Sequence, residues 1–159
     1  MSPASLWQNA LIRATRRTHK PALAIPLLLL LSACSGTAPD NLGIHDGQLA
    51  ACPDSPNCVN SQDSDVRHAI EPLPLQGSSE ETQARLKALL SEEPRVNVVE
   101  ETPGYLRAEF SSKLMRYVDD VEFMIGTAAV DVRSASRMGY ADFDVNRERI
   151  ERLRQRLTE

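Results

Sequence analysis

The chain has 159 residues with 18 Lys and Arg against 22 Asp and Glu, a net −4. Residues 1–33 carry Arg13, Arg16, Arg17 and Lys20 and no acidic group, so the remaining 126 residues hold 14 basic against 22 acidic side chains, a net −8. That balance argues against nucleic acid or an anionic membrane surface as a partner, and three Tyr with three Phe make no stacking platform for sugars or bases.

The four basic residues precede an apolar stretch, Pro21 to Ala33, that is 13 residues long. Spanning a bilayer takes about 20, so the stretch reads as the core of a signal peptide over residues 1–33. Its end, Leu31-Ser32-Ala33-Cys34, resembles the lipobox of bacterial lipoproteins. That resemblance implies cleavage before Cys34, lipidation of Cys34 by a diacylglyceryl group and an amide-linked acyl chain, and attachment to a membrane. Ser35 in place of Asp directs such proteins to the outer membrane, on its periplasmic side. An uncleaved short anchor and a signal cut elsewhere are the other readings.

Residues 34–51 read as a lipidated tether, with scattered Gly, Pro, Asp and Asn and no apolar period. The folded domain is expected over residues 52–159, one compact unit at this length. With Cys34 assigned to lipid, Cys52 and Cys58 remain as an even pair in Cys-Pro-Asp-Ser-Pro-Asn-Cys. An oxidising compartment favours a disulfide. A zinc site needs four ligands, and a redox pair is usually Cys-x-x-Cys.

Val66 to Leu75 reads as a strand, pushed to an edge by Pro72 and Pro74. A helix follows, with Ser78 and Glu81 as a capping box, Leu86, Leu89 and Leu90 as its buried stripe, and Pro94 as its stop. Val96, Val98 and Val99 mark a strand that turns at Pro103-Gly104. Tyr105 to Ser112 alternates, with Leu106, Ala108 and Phe110 on one face, and Tyr117 to Ile125 alternates again. A two-residue turn at Gly126-Thr127 returns the chain along Ala128 to Arg137. Asn146 or Asp144 caps a last helix whose stripe is Ile150, Leu153 and Leu157. The fold class is α+β, an antiparallel sheet in the order β-α-β-β-β-β-α with two helices packed on one face.

That turn places Asp119 opposite Ser134, Asp120 opposite Arg133 and Glu122 opposite Asp131. A shift of two would put Glu122 opposite Arg133 and leave the faces unchanged. Asp119 then has two readings. It lines a polar pocket with Ser134, Ser136 and the nearby arginines, or it accepts hydrogen bonds within the fold.

From Arg133 to Asn146 the chain runs Arg-Ser-Ala-Ser-Arg-Met-Gly-Tyr-Ala-Asp-Phe-Asp-Val-Asn. Together with Cys52 to Val59, this resembles the bacterial and plant family called domain of unknown function 1499, over about residues 52–157. The family pattern has glycine where this chain has Asp144. The resemblance implies a fold and supplies no activity.

Catalytic sets are thin. Ser134 and Ser136 lie outside any Gly-x-Ser-x-Gly, and no His-Glu-x-x-His, P-loop or Gly-x-Gly-x-x-Gly occurs. After Cys34 the only histidines are His45 and His68. No metal ligand set and no cofactor is indicated. Arg147, Arg149, Arg152, Arg154 and Arg156 on the last helix make either a docking face or a solvated one. The reading is a lipid-anchored envelope domain that binds a small anionic ligand or an envelope protein through Arg133, Ser134, Ser136, Arg137, Asp142, Asn146 and Asp119. The alternatives are a hydrolase-like enzyme using Asp119 with the motif arginines, and a purely structural interaction module.

Overall fold

The computed structural model of the protein describes residues 36–159; the expected signal segment over residues 1–33 and Cys34 lie outside the described residues. Eight elements follow in order: β1 (Cys58–Asn60), β2 (Leu73–Pro74), α1 (Ser79–Glu92), β3 (Val96–Thr102), β4 (Tyr105–Ser111), β5 (Val118–Ile125), β6 (Ala129–Ser136) and α2 (Val145–Thr158). The strands form one antiparallel sheet in the order β1-β6-β5-β4-β3, with β2 also on β6.

Of the expected strand over Val66 to Leu75 only Leu73–Pro74 forms, as β2, and a short strand not expected from the sequence, β1, precedes the span. β1 pairs with the far end of β6, Cys58 to Ala135 and Asn60 to Arg133. β2 pairs with its near end, Leu73 to Val130. Between them Asp65 gathers the chain into turns: its carbonyl accepts from the His68 and Ala69 N–H groups and its carboxylate from the Arg67 N–H. Such local bonds compete with a ladder, and Val66 is left 88% exposed. Pro72 and Pro74 bring no N–H to extend β2.

The capping box forms as read, with the Glu81 N–H donating to Ser78 Oγ at 3.1 Å and the Ser78 N–H donating to Glu81 Oε2 at 2.8 Å. Leu86 and Leu90 of α1 and Ile150, Leu153 and Leu157 of α2 meet Leu106, Ala108, Phe110, Val121, Phe123, Val130 and Val132 in one core on one face of the sheet. Each such side chain contributes about 1.5–3 kcal/mol on burial. Pro103-Gly104 makes the β3–β4 turn, with Gly104 at φ 79.

The β5–β6 hairpin turns one residue later than expected. Gly126 N–H donates to the Ala129 carbonyl at 2.9 Å, leaving Thr127 and Ala128 at the tip. A Cβ on Gly126 would meet that carbonyl at 3.1 Å, so the glycine serves the close approach beside the tip. The register is therefore Asp119 to Ser136, Val121 to Ser134, Glu122 to Arg133 and Phe123 to Val132.

The folded body also begins before Cys52. Residues 36–51, expected to be a tether, pack on the domain. The Gly43 N–H donates to Glu122 Oε1 at 2.7 Å, Leu49 is buried with its N–H on Gln62 Oε1, and Asn60 Nδ2 donates to the Ala50 carbonyl. Cys52 and Cys58 are joined in a disulfide. Closing a loop this short stabilises by about 2 kcal/mol on the chain-entropy model.

Candidate functional site

Successive side chains on β5 point to opposite faces, so Asp119 and Asp120 open two separate polar clusters. On the helix side, Asp119 Oδ2 accepts from Arg149 Nη2 at 2.5 Å. Arg149 Nη1 also donates to Ser134 Oγ at 2.9 Å and Asn146 Oδ1 at 2.6 Å, and its guanidinium lies 4.6 Å from the Phe110 ring centre. Asn146 Nδ2 donates to the Asn57 carbonyl, Ser136 Oγ and Asp142 Oδ2, while Ser134 Oγ donates to Asn146 Oδ1. Burial lowers the Arg149 pKa, and the Asp119 charge works against that shift.

The last helix is capped from Asp142. Its carboxylate accepts the Asn146 N–H at 2.9 Å, whereas Asp144, at the N-cap position, makes no side-chain capping bond. Asp144 sits at φ 65 and ψ 10, in the left-handed region where the family pattern has glycine, so the turn keeps its geometry without it.

On the other face, Glu122 is fully buried and accepts from Arg133 Nη1 at 3.2 Å, the Tyr105 hydroxyl at 2.9 Å and the Gly43 N–H. Asp120 takes a two-pronged clamp from Arg137, Nε at 2.7 Å and Nη2 at 2.8 Å, with Arg107 Nη1 at 3.3 Å. Arg137 Nη2 also reaches Glu109. The Asp120 hydrogen bonds hold the Arg137 pKa above its ordinary value. Burial, and then the Glu122 charge, push the Tyr105 hydroxyl well above the usual tyrosine range.

The seven candidate residues therefore divide. Asp119, Ser134, Ser136, Asp142 and Asn146 come together around Arg149. Arg133 and Arg137 lie across the sheet, each occupied by a carboxylate. Sequence reasoning missed Arg149, Asn57, Tyr105, Arg107 and Glu109. The helical period could have found Arg149, because Asn146, Arg149, Ile150, Leu153 and Leu157 continue one buried stripe.

The other α2 arginines are fasteners more than a solvated face. Arg147 donates to the Ala69 and Arg67 carbonyls, Arg154 to Pro72 and Glu71, and Arg156 to Glu92 and Glu93 at the end of α1. Their partners are on the β1–β2 connection and at the end of α1. His68 is buried, with Nδ1 2.9 Å from the Cys58 carbonyl.

Two clefts share Asp119, Ser112 and Val145. The larger, about 360 Å³, lies between α2 and residues 93–95 and includes Arg95, Arg149 and Arg152 with Phe110, Glu93 and Glu148. The smaller, about 230 Å³, lies toward Tyr117, Ser136, Met138 and Phe143. No group of three metal-ligating side chains occurs among the described residues.

A two-layer α+β domain, with an antiparallel sheet under two helices and a buried polar knot at the β6–α2 corner, is the class these features define. Residues 48–157 match the family model described as Protein of unknown function (DUF1499), and the chain belongs to that family. The match starts ahead of Cys52, as the packed segment does. No curated protein and no solved structure matches the chain.

Proposed function

We propose that the protein is a lipid-anchored domain of the bacterial cell envelope, held through Cys34 on the periplasmic side of the outer membrane, and that it binds an anionic ligand without transforming it. The address rests on Leu31-Ser32-Ala33-Cys34 after a short apolar run, followed by Ser35. The binding half is carried by the larger cleft. Arg149 is neutralised by Asp119, but Arg95 makes no ion pair among the described residues, its Nε donating to the Ser111 carbonyl at 3.2 Å, and Arg152 reaches Glu93 only at 3.6 Å. Two exposed guanidinium forks beside one cleft suit a carboxylate or phosphate group. This moves the anion from Arg133 and Arg137, which already hold buried carboxylates. The same separation argues against a hydrolase built from Asp119 with those arginines.

The test is a melting-temperature series on the lipidated protein in detergent, with inorganic phosphate, citrate and glycerol phosphate. At least one anion should raise the melting temperature by several degrees. Arg95→Ala and Arg152→Ala should remove that rise while leaving the ligand-free value near wild type. No rise with any anion, or a rise that survives both substitutions, would refute the binding site.

A further inference from the structure

The exposed apolar side chains are not scattered. Apart from Ile44 and Val66, every large one among the described residues lies in the β4–β5 loop, in the β6–α2 loop or on the first residue of α2. Leu114 is 85% exposed, Phe143 92% and Tyr140 74%, with Met115 and Met138 beside them in the chain. The two loops are neighbours at one end of the sheet. Ser111 pairs with Val118 and Asp119 with Ser136, and Tyr117, Met138 and Phe143 line the smaller cleft together. An exposed apolar cluster of this kind marks a contact with a membrane or another protein.

Two further observations choose between these. The first is where the described chain begins. The Gly36 backbone lies against the β6–α2 loop so closely that a Cβ there would meet Arg137 Cβ at 3.0 Å and Met138 Cγ at 3.3 Å. Gly36 is two positions after Cys34, a reach of at most about 7 Å of extended chain. The second is charge. In a domain of net −8, the loop reads Lys113-Leu114-Met115-Arg116, an apolar pair between two exposed cations that make no ion pair among the described residues. Apolar and aromatic tips flanked by basic groups suit the boundary between acyl chains and anionic headgroups. The acidic groups nearby are Asp119, bound to Arg149; Asp142, bound to Asn146; Asp144; and Glu148 on the adjoining cleft.

We infer that the end of the domain formed by residues 112–117 and 137–145 sits in the surface of the bilayer that holds the Cys34 acyl chains, with Leu114, Met115 and Phe143 below the headgroups. This rests on the lipid anchor proposed above. It replaces a domain held off the membrane on a tether by one lying on it, with the clefts at Asp119 close to the lipid surface.

The only Trp, Trp7, precedes Cys34, so a Trp placed in the processed protein is a sole probe. Leu114→Trp, Phe143→Trp and, at the far hairpin tip, Thr127→Trp are each reconstituted as lipidated protein into phosphatidylethanolamine–phosphatidylglycerol vesicles. Flotation reports the anchor, and quenching by lipids brominated high on the acyl chain reports the depth. Trp at 114 and 143 should shift to the blue and lose most of its intensity to bromine, and Trp at 127 should do neither. Flotation with all three probes equally unquenched would overturn the docking and leave the anchor standing. A blue shift without bromine quenching, accompanied by a cross-linked dimer, would assign the face to a second copy and overturn it too. Protein that carries no lipid and fails to float would overturn the anchor and the inference together.

Discussion

Removing the Arg137 guanidinium should destabilise the folded domain by about 3 kcal/mol. The Arg137 side chain is 7% exposed and clamps Asp120, whose side chain is only 1% exposed. Breaking a buried ion pair from one side costs about 3–5 kcal/mol, because the remaining charge is left in a low-dielectric site. The lower end applies, since Arg107 stays 3.3 Å from Asp120 and Glu109 is partly solvated. For a domain of this size that is a fall of about 12 °C in melting temperature. Urea unfolding of Arg137→Ala followed by far-ultraviolet circular dichroism measures it directly. A cycle with Asp120→Asn should recover a coupling of about 1–3 kcal/mol. A loss below about 1 kcal/mol, the range of an exposed pair, with an unchanged denaturant slope would refute a structural role and return Arg137 to the list of groups free to bind.

Asp142→Ala should cost about 1–2 kcal/mol through loss of the α2 cap, whereas Asp144→Gly should stay within about 0.5 kcal/mol of wild type because glycine fits the left-handed site; chemical denaturation of both variants checks the contrast. Tyr105 has a raised folded-state pKa, so the folded form holds its proton above the unfolded value near 10. Its contribution is therefore full below pH about 10 and is lost as pH rises beyond that. Tyr105→Phe should lose stability less steeply than wild type between pH 9 and 11 (roughly, bracketing the unfolded value), and parallel slopes in denaturation at stepped pH would count against the buried hydroxyl.

Local chemistry is what the sequence by itself determined. The Ser78–Glu81 box needs four neighbouring residues, the Pro103-Gly104 turn needs two, and the alternation of Leu106, Ala108 and Phe110 or the stripe of Ile150, Leu153 and Leu157 is a period that folding does not alter. The Cys52–Cys58 pairing is local in the same sense, and the Arg133–Asn146 motif carried the family. Alternation separates faces but does not say what covers them. Asp120 and Glu122 therefore read as ordinary outward charges, although the chain buries both. Their partners are remote: the Gly43 N–H that reaches Glu122 is 79 residues away, and the Arg137 that clamps Asp120 is 17 away. The register was likewise a tertiary matter. Gly126 could begin a turn or flank one, and its close approach to the Ala129 carbonyl decided for the second. That one-residue displacement brought Glu122 opposite Arg133. The strand over Val66 to Leu75 shrank to Leu73–Pro74 because Asp65 bound its own neighbours, and the edge of β6 this left was taken by Cys58–Asn60, ahead of the expected span. Residues 36–51 have no apolar period of their own. They are ordered by what they cover, which no local pattern records.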